Sequence, residues 1–179
     1  MNRSIVPGLL VLLFFSRAQA ESRLRIGVSA GTVNLVSPER LPVAMSNYAE
    51  RRATVVWFLS ARYPTTAAAA DSIVSLNQQY RHRRILFVGV FPDPAETRTE
   101  VHAFWQGHGF NFPVYLDLEK QTTRRFGAHV TPEAFLLDKQ KRLLFRWAVA
   151  GLSAGLASVS ADAPVVNVEA GTGGNTHRR

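Results

Sequence analysis

Thr131-Pro132-Glu133-Ala134-Phe135-Leu136-Leu137-Asp138 puts a proline at the mouth of a short apolar run and ends that run on an aspartate. Residues 134–137 read as a strand, and residues 143–147 (Leu-Leu-Phe-Arg-Trp) as a second. The Asp138-Lys139-Gln140-Lys141 link between them has the length and composition of a hairpin connection. Just upstream, residues 122–126 form a short helical segment closed by Gly127, and residues 113–116 a short strand.

Further outward the pattern alternates. Residues 53–59 (Ala-Thr-Val-Val-Trp-Phe-Leu) and 85–91 are continuous β-branched and aromatic runs, which predict strands covered on both faces. A loop over 60–66 contains Pro64. A helix is predicted from about 66 to 80, with Ile73, Leu76 and Tyr80 on one face. Asp93-Pro94-Ala95-Glu96 has the form of a helix start, with Asp93 as cap and Glu96 completing a capping box. Val101, Phe104, Trp105 and His108 follow at helical spacing before Gly107 and Gly109. The order β-α-β-α-β-α-β-β predicts an α/β layered sandwich with an antiparallel edge.

The chain has 179 residues, 46% hydrophobic and 19% charged, enough for one domain with a real core. Arg3, an apolar stretch over 5–15 and Ala18-Gln19-Ala20 have the form of an export leader cleaved near Ala20. The apolar stretch is short for a membrane span. The expected organisation is a signal peptide over 1–20, an exposed lead-in over 21–43 with one or two short strands, the domain over 44–150, and an Ala/Ser/Gly-rich extension over 151–179 ending in a mobile tail. The formal charge is +8, and loss of Arg3 and Arg17 with the leader leaves 19 basic against 13 acidic residues. In sequence the arginines fall in scattered pairs (Arg51-Arg52, Arg83-Arg84, Arg124-Arg125, Arg178-Arg179) and no nucleic-acid motif accompanies them, so no nucleic-acid partner is expected.

Over residues 43–147 the chain resembles the redoxin branch of the thioredoxin superfamily, near the alkyl hydroperoxide reductase and thiol-specific antioxidant proteins. Ser46-Asn47-Tyr48 stands where that family leads into its first central strand. Arg62-Tyr63-Pro64-Thr65-Thr66 stands at the active-site turn, and Phe112-Pro113-Val114-Tyr115-Leu116-Asp117 resembles a Phe-Pro-Val-x-x-Asp segment. Thr131-Pro132 resembles the loop in which a threonine precedes a cis-proline facing that turn. Gly174-Asn175-Thr176-His177-Arg178-Arg179 stands where one subgroup closes with Gly-Cys-x-x-Lys-Arg. The resemblance implies a thioredoxin-like fold, a central mixed β-sheet flanked by helices, and a cis bond before Pro132.

The family's chemistry needs a thiolate, and this chain contains no cysteine. Tyr63 stands in place of the nucleophile, Thr66 in place of the second cysteine and Asn175 in place of the tail cysteine. A threonine hydroxyl needs a positioned base before it attacks anything. No catalytic residue is therefore expected. Tyr63, Pro64 and Thr66 mark the family's active-site positions, and Tyr63, Thr66, Thr131 and Pro132 are the expected binding residues. The turn heads a helix, where free N–H groups favour anions or extended peptide, and a cis-proline loop exposes backbone that can pair with a peptide strand.

His82, His102, His108, His129 and His177 show no ligand spacing, so neither metal nor cofactor is implied. No Gly-x-Ser-x-Gly elbow is present, and Asp117 with Glu119, or Glu133 with Asp138, makes no convincing acid/base pair. Trp57, Trp105 and Trp147 read as core aromatics. The expected function is that of an exported, non-catalytic module binding an extended peptide or an exported protein. Two alternatives stand beside it: an oxidoreductase or antioxidant working by a non-thiol route or through a cysteine-bearing partner, and a decayed product with no activity. Contact with a membrane is expected only through an uncleaved leader. The sequence implies no oligomeric state.

Overall fold

The two long apolar runs become the centre of a sheet. In the computed structural model, which describes residues 23–44, 51–148 and 155–157, β1 (Asn34–Val36), β2 (Pro42–Ala44), β3 (Ala53–Phe58), β4 (Ile85–Phe91), β5 (Val114–Leu116), β6 (Glu133–Asp138) and β7 (Leu143–Ala148) form one mixed sheet in the order β2-β1-β5-β4-β3-β6-β7. β3, β4 and β5 are parallel, and β6 and β7 return antiparallel. The helices are α1 (Pro64–Tyr80), α2 (Arg98–Gly107) and α3 (Gln121–Phe126). The leader, the Ser46-Asn47-Tyr48 match and the C-terminal tail lie outside the described residues.

β3 reads as a continuous hydrophobic run because both sheet faces are covered. Ala53, Val55, Trp57 and Leu59 join the core that includes Ala70 and Ile73 of α1 and Val101 of α2. Val56 and Phe58 point the other way, into a second core with Phe126 of α3 and Phe135 of β6. On α1 the buried positions Thr66, Ala69, Ala70, Ile73, Asn77 and Tyr80 follow the helical period. Trp57 is fully buried, while Trp105 and Trp147 pack at the margin of that core. Gly89 sits at a close approach, where a Cβ would stand 3.0 Å from Val114 Cγ1 and 3.2 Å from Leu59 Cδ1 and those side chains would have to give way.

Two expectations are corrected. The lead-in is not exposed throughout: Leu24, Ala30, Val33 and Leu35 belong to the second core, and β1 pairs with β5. Its sparse patterning hides this because its partners are remote in sequence. The Leu24 N–H donates to the Arg125 carbonyl, and the Ala30 N–H to that of Lys141. Asp93 does not start a helix. It caps a single turn, accepting from the Ala95 N–H at 2.9 Å, and α2 begins five residues later, after its N-cap Thr97. There Thr97 and Glu100 form the capping box. Glu96 is diverted inward instead.

Candidate functional site: the turn at the head of α1 and the proline loop

β3 delivers the chain to Ser60, and the turn over 60–63 feeds α1 with Tyr63 as its extended N-cap and Pro64 in the first turn. The sheet register sets Glu133 opposite Phe58, so Pro132 arrives beside the end of β3. The Thr131–Pro132 bond is cis. Thr65 Oγ1 donates to the Thr131 carbonyl at 2.9 Å, tying the head of α1 to the proline loop. On either side of this tie the apolar surfaces of Tyr63 and Val130 are each 56% exposed.

The sequence-predicted residues divide. Tyr63 and Pro64 are exposed at the head of the helix, and Thr131 is partly exposed in the facing loop. Thr66 is fully buried, and its Oγ1 accepts from the Ser60 N–H at 3.3 Å, so its side chain holds the turn from inside. Pro132 is also buried. His129 is exposed, and its N–H donates to Glu133. Among the described residues no group of acids and histidines could hold a metal ion.

Several participants escape a reading of motifs. Glu96 is only 3% exposed. Its Oε1 accepts from Ser60 Oγ at 2.5 Å and from the Ala61 N–H at 2.9 Å, while its buried Oε2 has no partner among the described residues. Burial pushes the Glu96 carboxyl above the usual range, and the donors from Ser60, Ala61 and Arg62 draw it only part of the way back. At the surface, Arg62 donates to both carboxylate oxygens of Glu100, at 3.0 and 3.1 Å, and to the Ala95 carbonyl at 2.6 Å. The Arg62 hydrogen bond, followed by those of Thr97, pulls the exposed Glu100 carboxyl down to about 2. α2 is thus strapped to the turn from both sides.

On the other flank, Arg146 donates through Nε to Glu133 Oε1 at 2.6 Å and through Nη2 to the Gly127 carbonyl. Glu133 Oε2 accepts from the His129 N–H at 2.8 Å. Both ends of the 127–132 loop are braced by this network. Gly127, at φ 67, closes α3 in the left-handed region that favours glycine.

The Glu96 geometry fixes a pH dependence. A carboxyl whose folded-state pKa is raised binds its proton more tightly in the folded chain than in the unfolded one. Stability therefore declines as pH climbs from the ordinary glutamate range toward the raised folded value. Glu96→Gln keeps an acceptor for Ser60 and Ala61 and removes the titration. Denaturation midpoints across mildly acidic to neutral pH should fall for the parent chain and stay level for Glu96→Gln in that window. A parallel slope in both would contradict the assignment. Glu100 contributes oppositely, its stabilisation being present above the ordinary value and lost as pH drops toward about 2.

A family model described as Redoxin matches residues 27–152. No curated protein matches the chain significantly. Among solved structures, a hypothetical protein from Sinorhizobium meliloti aligns with TM-score 0.73 at 21% identity, over 82% of this chain and 90% of its own. A candidate thiol:disulfide interchange protein DsbE from Chlorobium tepidum aligns with TM-score 0.68 at 17% identity, over 77% and 99%. A secreted disulfide oxidoreductase from Mycobacterium tuberculosis aligns with TM-score 0.59 at 15% identity, over 70% and 95%. At these identities the structural likeness establishes a thioredoxin-like fold.

Proposed function

The chain belongs to the Redoxin family, and from that premise we propose that it is an exported, thiol-free member whose turn-and-proline face binds an extended peptide segment of another protein. The observation that carries this reading is the Thr65–Thr131 hydrogen bond, which ties the head of α1 to the proline loop, with Tyr63 and Val130 exposed one on each of these two segments. The position of a thiolate is taken by a phenol at the rim of an apolar contact surface. Tyrosine supplies a large, stiff amphipathic contact at small entropic cost. The Thr131 carbonyl uses one lone pair on Thr65 and retains a second for an incoming N–H. Export rests on the leader-like residues 1–20, and the secreted relative of the same fold is consistent with it.

Selection of a displayed random-peptide library on the full chain tests the reading. Enriched peptides should bind as free synthetic peptides, and Tyr63→Ala combined with Val130→Ser should weaken them by on the order of tenfold or more, as for loss of an aromatic anchor. Peptides that bind the double variant as well as the parent chain would refute it.

A further inference from the structure

Two of the arginine pairs that are scattered in sequence, Arg51-Arg52 and Arg83-Arg84, converge in space, at the end of the sheet opposite the turn. β3 and β4 both start there, with Ala53 paired to Ile85, and β6 finishes there, with Asp138 opposite Ala53. Arg51 and Arg52 lead into β3. Arg81, Arg83 and Arg84 lead into β4, and the Arg52 N–H donates to the Arg84 carbonyl at 2.9 Å. The hairpin turn leaving β6 adds Lys139, Lys141 and Arg142. These side chains are exposed, Lys141 partly so. Among the described residues of these segments the one acid, Asp138, is engaged by Arg142 at 2.7 Å.

An apolar element sits against this basic pole. The segment over 25–29 docks on the hairpin: the Gly27 N–H donates to the Leu143 carbonyl at 2.7 Å, and Ser29 Oγ to that of Gln140 at 3.3 Å. The docking pairs Ile26 with Leu143 and Ser29 with Arg142, and leaves Ile26 and Val28 56% and 51% exposed. Burial would favour turning these two side chains inward, yet they stand exposed on the segment that lies against the basic hairpin.

We propose that this pole docks on a bilayer surface carrying anionic phospholipid. Each cation near such a surface gains attraction from the negative headgroups, and exposed aliphatic side chains gain by entering the headgroup–acyl boundary. A nucleic acid would use the charge and leave Ile26 and Val28 without a partner. Among the described residues the one exposed tyrosine is Tyr63, at the other end, and no exposed Phe, Tyr or Trp ring stands at this pole to stack on a base. Docked in this way, the chain turns Tyr63 and the proline loop away from the lipid. It also gains a route to a bilayer that does not pass through the leader.

The test is co-sedimentation of the full chain with vesicles of phosphatidylcholine alone and with vesicles of phosphatidylcholine and phosphatidylglycerol in equal parts. Binding should favour the anionic vesicles and weaken with added salt. An inserting leader, which carries Arg3 and Arg17, would raise both baselines and add an anionic preference of its own, one that substitutions at the pole leave in place. Arg81→Glu combined with Lys139→Glu should cut partitioning by on the order of 30-fold or more, since each lost cation near an anionic surface contributes roughly fivefold and the new carboxylates are repelled. Ile26→Ser with Val28→Ser should weaken binding while keeping its salt dependence. Arg40→Glu with Arg98→Glu makes the same formal charge change at the other end and should alter binding little. Equal partitioning into both vesicle types, or equal loss in the pole and control variants, overturns the proposal. Retention on duplex DNA without a preference for anionic vesicles overturns it too, and reassigns the pole to nucleic acid.

Discussion

Arg146→Ala destabilises the folded chain by on the order of 3 kcal/mol and loosens the loop that carries Pro132. The guanidinium is the charged partner of Glu133, a carboxylate buried at the first position of β6. Removing one member of such a pair leaves the other charged and out of water, which costs more than the pair itself contributes. After the substitution Glu133 keeps the His129 N–H, and the Gly127 carbonyl loses its donor from Arg146. The loop over 127–132 would then keep the Thr65–Thr131 and His129–Glu133 bonds and the backbone bonds of Gly127 and Ala128 to α3, without the guanidinium that links Gly127 to Glu133. Urea denaturation gives the stability loss as a shift of midpoint at constant slope, and amide exchange at His129 and Val130 reports the loop. Arg146→Lys should recover part of the stability, since it restores the charge without the fork. A loss for Arg146→Ala below about 1 kcal/mol would place the pair among surface ion pairs and contradict the bracing role.

Phe135→Ala costs about 3–5 kcal/mol, as truncation of a fully buried phenylalanine does. Its ring stands edge-on to Phe58 and Phe126, with centroids 5.4 and 5.2 Å away, so β3, α3 and β6 meet on this one side chain. Arg146 also lies over the Phe135 ring at 5.2 Å. The two substitutions therefore share a contact, and their combined effect should differ from the sum. A Phe135→Ala protein with the parent midpoint would mean that the second core does not hold these elements together.

What the sequence made legible follows from how local the determinants are. β3, β4 and α1 could be read because each carries its own signal: runs covered on two faces, or burial at a helical period. The resemblance placed Pro132 in a cis bond beside the turn. The start of α2 was misplaced because Asp93-Pro94-Ala95-Glu96 and Thr97-Arg98-Thr99-Glu100 are both plausible caps. What decides between them is a partner 36 residues away, the Ser60 hydroxyl that takes Glu96 inward. The Glu133–Arg146 brace was missed for the same reason, since it depends on the β6–β7 hairpin register. The basic pole was hidden because parallel pairing of β3 with β4 joins arginine pairs separated by an entire helix. Thr66, one of the expected binding residues, is buried, because its position on α1 falls on the buried face of that helix.

The most direct measurement of the central claim, that this redoxin fold operates without thiol chemistry, is turnover by the purified full chain. Insulin disulfide reduction and hydroperoxide consumption would be followed with dithiothreitol as reductant. Rates equal to the buffer control are expected for both substrates, because no side chain in the molecule can form the thiolate these reactions need. Protein-dependent turnover at an enzyme's pace, roughly 1–1000 per second, would contradict that claim.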